Sequence, residues 1–267
     1  MYELGLYEKS MPNTLSFKEK LETVKATGFD FLEMSVDETD EKLARLEWTK
    51  EERLELVKTM YETGVSIRSM CLSGHRKYPF GSHDASVRER SMEIMEKAIE
   101  LADDLGIRVI QLAGYDVYYE EGDADTLEFF IDNLKKATLL AAQKGIVLGF
   151  ETMETPFMNT VEKSMRFVNL VDSPYLQVYP DSGNLKNASL EPGAKNVYED
   201  IELGKGHIVA AHLKETIPGH YREIPFGTGQ IDFKRMVDTF LSIGVNRFTG
   251  EFWYVGQENW LEDIKFA

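Results

Sequence analysis

One motif recurs along this chain: a helix-period segment, a glycine, then a short apolar run. It occurs at Ala26-Thr-Gly28 before Phe29-Asp-Phe-Leu-Glu33, at Glu62-Thr-Gly64 before Val65-Ser-Ile-Arg-Ser-Met70, and at Asp104-Leu-Gly106 before Ile107-Arg-Val-Ile-Gln111. It returns at Gln143-Lys-Gly145 before Ile146, at Gly204-Lys-Gly206 before His207, and at Ser242-Ile-Gly244 before Val245. Glycine is the residue a helix needs when it ends in the left-handed region, where a Cβ would clash with the backbone. An opening strand around Glu3 to Tyr7, and another at Leu176 to Pro180 entered through Asp172-Ser-Pro174, bring the strand candidates to eight. Helices fit between them at Phe17–Thr27, Lys50–Thr63, Ala85–Leu105, Asp125–Lys144, Val161–Val171, Asn196–Leu203 and Phe233–Ile243. In the third of these Val87, Met92, Ile94, Met95, Ala98, Ile99 and Leu101 fall mostly on one face at the helical period.

Alternation of strand and helix implies a parallel sheet with right-handed crossovers. Eight units closing on themselves make a single (β/α)8 TIM barrel spanning residues 1–267. The alternative, an open doubly wound sheet, lacks a Gly-x-Gly-x-x-Gly turn after its first strand. The last helix begins near Asn259 and stops at Ala267 after barely two turns, where a barrel usually closes with a longer one. Either the chain is shortened there, or the final helix is short and covered by a partner.

Composition narrows the function classes. A formal charge of -16 opposes broad binding of nucleic acid or anionic membrane, which needs clustered Lys and Arg. A small anionic substrate in a local basic pocket remains compatible with it. The single Cys71 excludes an intrachain disulfide and fits a reducing compartment. The N-terminal stretch is polar and no apolar segment is long enough to span a bilayer, so the sequence reads as cytoplasmic.

Several strands end in a charged or metal-binding residue at the rim where barrels carry their chemistry. Glu151 ends Ile146-Val-Leu-Gly-Phe150, Asp181 follows Leu176-Gln-Val-Tyr-Pro180, His212 follows Ile208-Val-Ala-Ala211, and Glu251 follows Arg247-Phe-Thr-Gly250. Each alone is explained by a helix cap, an ion pair or a hydrogen-bonded core histidine. Together, four such groups at one barrel mouth repel or stay unpaired unless a cation joins them. The nitrogen and oxygen donor set suits one divalent ion, Mn, Zn, Co or Mg, with positions open to a substrate's oxygens. A ketose chelated there through its carbonyl would be polarised, and Glu151 and Glu251 could remove and return a carbon-bound proton. One carboxylate on each face gives epimerisation, and one base acting at adjacent carbons gives aldose–ketose isomerisation. Long loops after strands two, three, four and seven, at 35–48, 73–82, 113–119 and 214–229, imply a covered pocket.

Gly5-Leu-Tyr-Glu-Lys9, Phe31-Leu-Glu-Met-Ser-Val-Asp-Glu-Thr-Asp40, Ser69-Met-Cys-Leu-Ser73, the run from Ile107 to Tyr119, Tyr179-Pro-Asp-Ser-Gly-Asn184 and Pro225-Phe-Gly-Thr-Gly229 resemble the L-ribulose-5-phosphate 3-epimerases of L-ascorbate utilisation. These belong to the xylose isomerase-like barrels. The resemblance implies that Glu151, Asp181, His212 and Glu251 are the metal ligands, that Glu151 and Glu251 are the acid/base pair, and that the protein is a homodimer. It implies a small sugar phosphate as substrate. Related epimerases of free sugars carry a His three residues beyond the Asp ligand and an Arg beyond the His ligand. Here Asn184 takes the first place, which favours a phosphorylated substrate, and Arg222 is the candidate for the second.

Candidates for the phosphate are Lys9, Arg45, His75, Arg76, Lys77, Lys214 and Arg222, with Lys9 and the cluster His75-Arg-Lys77 preferred by position. Glu33, at the end of strand two, either holds a substrate hydroxyl or pairs with one of these cations. Two rival readings use the same fold. An abasic-site endonuclease needs more His ligands and a basic surface than five His and a charge of -16 supply. A non-catalytic binding barrel predicts that Glu251→Gln changes nothing measurable.

Overall fold

The computed structural model describes residues 1–267. Its elements alternate in chain order: β1 (Glu3–Tyr7), α1 (Phe17–Thr27), β2 (Phe31–Val36), α2 (Asp40–Leu43), α3 (Lys50–Thr63), β3 (Ser66–Leu72), α4 (Ala85–Leu105), β4 (Val109–Ala113), α5 (Ala124–Gln143) and β5 (Val147–Glu151). There follow α6 (Val161–Val171), β6 (Leu176–Tyr179), α7 (Ser182–Ala188), α8 (Val197–Glu202), β7 (Ala211–Leu213), α9 (Phe233–Ser242), β8 (Arg247–Gly250) and α10 (Trp260–Phe266). All six joint glycines take positive φ, from 65° at Gly145 to 93° at Gly244; five stand at a helix end, and Gly206 lies in the turn that follows α8. At the other ends, Ser16 with Glu19 and Thr49 with Glu52 form reciprocal capping boxes that start α1 and α3.

The strands are parallel and neighbours in the order β6-β5-β4-β3-β2-β1-β8-β7. Two isolated bridges, Val178 to Ile208 and Asp181 to His212, join the remaining edges and close the barrel. This seam is thin because Pro180, which has no N–H to give, interrupts β6; its carbonyl accepts from His212 N at 2.9 Å. The interruption also shifts the seventh strand. The sequence places it at Ile208–Ala211 with His212 beyond, whereas β7 runs from Ala211 to Leu213 and contains His212.

Apolar side chains of β1 to β6 pack under α1 and α3 to α6 in one continuous core. A second cluster, with Leu185, Ile201, Met236, Phe240 and Phe248, supports the seam side beneath α7, α8 and α9. On α4 the buried face is Ile94, Met95, Ala98, Ile99, Leu101, Ala102 and Leu105, while Val87 and Met92 are only partly covered. Helix α10 is held by the buried Ile264, and Phe266 beyond it is exposed.

Candidate metal centre and active site

Four strand ends deliver Glu151, Asp181, His212 and Glu251 to one place. One ligand atom from each lies within 4.8 Å of all the others, and all four residues are buried. His212 Nδ1 stands 3.3 Å from Glu151 Oε1 and 3.4 Å from Glu251 Oε2. Lys214 Nζ reaches Asp181 Oδ1 at 3.1 Å and Glu251 Oε2 at 3.5 Å, and donates to Asn184 Oδ1 at 2.8 Å. Asn184 in turn donates from its amide to Thr152 O at 2.7 Å, and its backbone N–H caps onto Asp181 Oδ1 at 2.6 Å. Gln111 Nε2 donates to Glu151 Oε2.

Charge here is out of balance. Three carboxylates face one ammonium and one imidazole, and Asp181 Oδ2 and Glu251 Oε2 are buried without a hydrogen-bond donor. Burial pushes the Asp181 carboxyl upward, to about 8. Burial also works against charge on Glu251, but Lys214 and His212 beside it hold its carboxyl below the usual range. On His212 burial opposes the proton while the nearby Glu33 and Glu251 retain it. A divalent ion reverses that last balance, since Nδ1 can ligate only without a proton. Orphaned carboxylate oxygens around a fixed imidazole are what a hard or borderline cation requires, and the four residues fit one.

A cavity opens over this group. Its walls include Tyr7, Lys9, Ser73, Arg76, Glu151, Glu154, Asn184, Lys214, Tyr221, Arg222, Glu251 and Trp253. The structure therefore brings Lys9, Arg76, Asn184, Lys214 and Arg222 to the site, and Trp253 walls it. It corrects four other sequence expectations. Arg45 is buried away from the cavity in a two-pronged pair with Glu8, at 2.6 and 2.7 Å. His75 is buried with Nε2 3.0 Å from Ser91 O, beneath the start of α4. Lys77 points to solvent. Glu33 neither meets the cavity nor pairs with Lys or Arg; its carboxylate is fully buried under the ligands, 2.6 Å from His212 Nε2.

Cations that do reach the cavity differ in how committed they are. Lys9 is paired with Asp37 at 2.5 Å and Arg222 with Glu154 at 3.0 Å. Arg76 has no carboxylate partner: its guanidinium lies 4.9 Å from the Tyr118 ring centre, and its Nε is buried without an acceptor. Sequence reasoning missed Glu8, Gln111, Glu154 and the hydroxyls of Ser69, Tyr179 and Thr249. A signal existed for most of them, because Ser69, Gln111, Tyr179 and Thr249 are polar groups inside otherwise apolar strands, where each needs a partner.

The model of the xylose isomerase-like TIM barrel family matches residues 21–267. The chain belongs to this family. Within it, the chain is 47% identical over 241 residues to L-ribulose-5-phosphate 3-epimerase UlaE of Escherichia coli O157:H7, covering 90% of this chain and 83% of that protein. The UlaE protein of Shigella sonnei matches at the same identity and coverage. Among solved structures, D-psicose 3-epimerase of Clostridium cellulolyticum H10 superposes with a TM-score of 0.81 at 18% identity, over 99% of this chain and 96% of that one. An L-ribulose 3-epimerase superposes with a TM-score of 0.75 at 21% identity, over 98% and 86%. At these identities the structural likeness speaks to the fold alone.

Proposed function

We propose that the chain is a metal-dependent 3-epimerase of a ketopentose 5-phosphate, interconverting L-ribulose 5-phosphate and L-xylulose 5-phosphate. The observation that carries this reading is the convergence of Glu151, Asp181, His212 and Glu251, with two carboxylate oxygens left without donors, at the floor of a cavity. The kinship to the L-ribulose-5-phosphate 3-epimerases supplies the substrate. When bound, a divalent ion supplies electrophilic polarisation of a ketone and compensates the carboxylates. Mn, Zn, Co and Mg all suit the donor set.

Glu151 and Glu251 act as the acid/base pair. They come from β5 and β8, with β6 and β7 between them, so a planar sugar fragment in the cavity can meet one on each face. One carboxylate takes the proton from C3, and the C–H electrons move toward C2 and its oxygen. The other returns a proton to the opposite face, inverting C3. Gln111 holds Glu151 in place, while Lys214 keeps Glu251 ionised and ready to accept. Two facing carboxylates favour epimerisation over transfer between adjacent carbons. His212 is the only histidine at the cluster, which argues against the multinuclear site of an endonuclease.

Arg76, unpaired and lining the cavity, takes the phosphate, with Lys9 released from Asp37 to assist. The reading places the enzyme in the cytoplasm as a homodimer, on the strength of the family resemblance and of a sole cysteine that is buried; sedimentation checks the assembly. To test the activity, protein stripped of metal and reloaded with each of the four ions is incubated with L-ribulose 5-phosphate, and the sugar is followed by NMR. L-xylulose 5-phosphate should appear only with metal. No conversion with any ion, in folded protein, contradicts the proposal.

A further inference from the structure

Glu33 lies directly below the ligand cluster, near the middle of β2, and has no exposed surface. Its Oε2 accepts from Ser69 Oγ at 2.6 Å and from Tyr179 OH at 2.8 Å, and its Oε1 lies 2.6 Å from His212 Nε2. Tyr179 OH is also 2.9 Å from Thr249 Oγ1. Four strands, β2, β3, β6 and β7, thus meet at one carboxylate, and β8 joins them through Tyr179. No lysine or arginine is within ion-pair distance of it, so these hydrogen bonds are what hold it.

Both hydroxyls can point their hydrogens at Oε2, which leaves Oε1 open and facing the imidazole. The bond to His212 is then Nε2–H donating to Oε1. An imidazole with its proton on Nε2 has its lone pair on Nδ1, and Nδ1 is the atom turned toward Glu151 and Glu251, at 3.3 and 3.4 Å. Edge-on packing of the Tyr179 ring, 4.9 Å centre to centre from His212, restrains the same imidazole from the side.

We propose that Glu33 is a positioning residue: it fixes the tautomer and ring plane of His212 so that Nδ1 presents its lone pair to the metal. A carboxylate behind a ligating histidine is a recurrent way to orient the ring and raise its basicity. The inference rests on the metal-centre reading above. Ser69, Tyr179 and Thr249 form its support and keep the carboxylate from rotating away.

The test uses full-length protein loaded with Zn, in which His212 is read without the extra proton that its facing carboxylates retain in the metal-free state, with the His212 ring nitrogens assigned by comparison with His212→Gln. In the wild type, 15N NMR should show the proton on Nε2. Glu33→Gln conserves the shape but removes the negative charge that faces the Nε2 proton, and the share of His212 that offers Nδ1 without a proton should fall. Competition with a chromophoric chelator for Zn and Mn should then show affinity reduced about 10- to 100-fold. If Glu33→Gln does not fold, Tyr179→Phe decides: it keeps the ring, removes one bond to Glu33, and should weaken metal binding in the same direction by less. Wild-type protein that carries the proton on Nδ1, or folded variants that bind both metals as tightly as wild type, would overturn the inference while leaving the metal centre intact. Wild-type protein that binds neither metal overturns the metal-centre reading and this inference together.

Discussion

Two buried ionic clusters sit near the same rim of the barrel and are built in opposite ways. Around Glu8, one carboxylate faces three cations: Lys20 at 2.7 Å, Lys42 at 2.8 Å and Arg45 at 2.6 Å. Ser35 N adds a further donor at 2.9 Å, so both oxygens of Glu8 are saturated. Burial opposes its charge, yet Arg45, Lys20 and Lys42 hold the carboxyl far below the usual range. At the mouth of the barrel three carboxylates share Lys214 and His212, and two of their oxygens accept no hydrogen bond. The first cluster is complete, and it ties β1, α1 and the loop after β2 together. The second is short of positive charge at the place where a substrate can enter.

That contrast yields predictions that differ in kind. The largest concerns the incomplete cluster: Glu251→Gln should lower turnover by about 10²- to 10⁴-fold in a steady-state epimerase assay. Its denaturant midpoint without metal should change little, because the change removes one of three crowded carboxylates. Glu8→Gln should do the reverse. Three buried cations lose their counter-charge, which costs about 3–5 kcal/mol in equilibrium unfolding. Metal affinity per folded molecule should stay unchanged. Equal stability losses from the two substitutions would erase the distinction between the clusters.

A smaller effect sharpens it through pH. His75 is buried and bonded only to the carbonyl of Ser91, and burial pushes its pKa down to about 4. The folded protein therefore binds fewer protons than the unfolded chain between about pH 4 and the ordinary value of 6.5. Stability is gained as pH rises through that window and lost as pH falls, by about 3 kcal/mol in all. His75→Gln should flatten the slope of unfolding free energy between those limits. The smallest prediction concerns Arg76. Arg76→Leu should raise KM for the phosphorylated sugar about 10- to 100-fold, the loss of one charge-assisted contact, and leave the unphosphorylated sugar unaffected. An equal rise for both would remove Arg76 from the phosphate.

Much of the fold was legible because its determinants are local. A glycine at φ near 75° ends α3 and α4 alike, and capping boxes start α1 and α3 at residues that any reader of the sequence can mark. The segments not anticipated, α2 and α7, are four and seven residues long and lie in polar loops, too short for a periodic pattern. Convergence of the four strand-end groups was legible for a related reason: the barrel's geometry sends every such end to one rim. The roles of the surrounding charges were not, because partners are chosen in three dimensions. Arg45 finds Glu8 across 37 residues, and Glu33 finds His212 across 179. Nothing in the local sequence separates Arg45, consumed by a buried pair, from Arg76, left free at the cavity.

The central claim is that the incomplete cluster, once it holds a cation, moves a proton on and off carbon. It is tested most directly by incubating the metal-loaded protein with L-ribulose 5-phosphate in deuterated water and reading C3 by NMR. The account predicts deuterium at C3 of newly formed L-xylulose 5-phosphate, absent after chelation and nearly absent in Glu251→Gln. Epimer formed with its original hydrogen retained, or formed equally fast without metal, would contradict it.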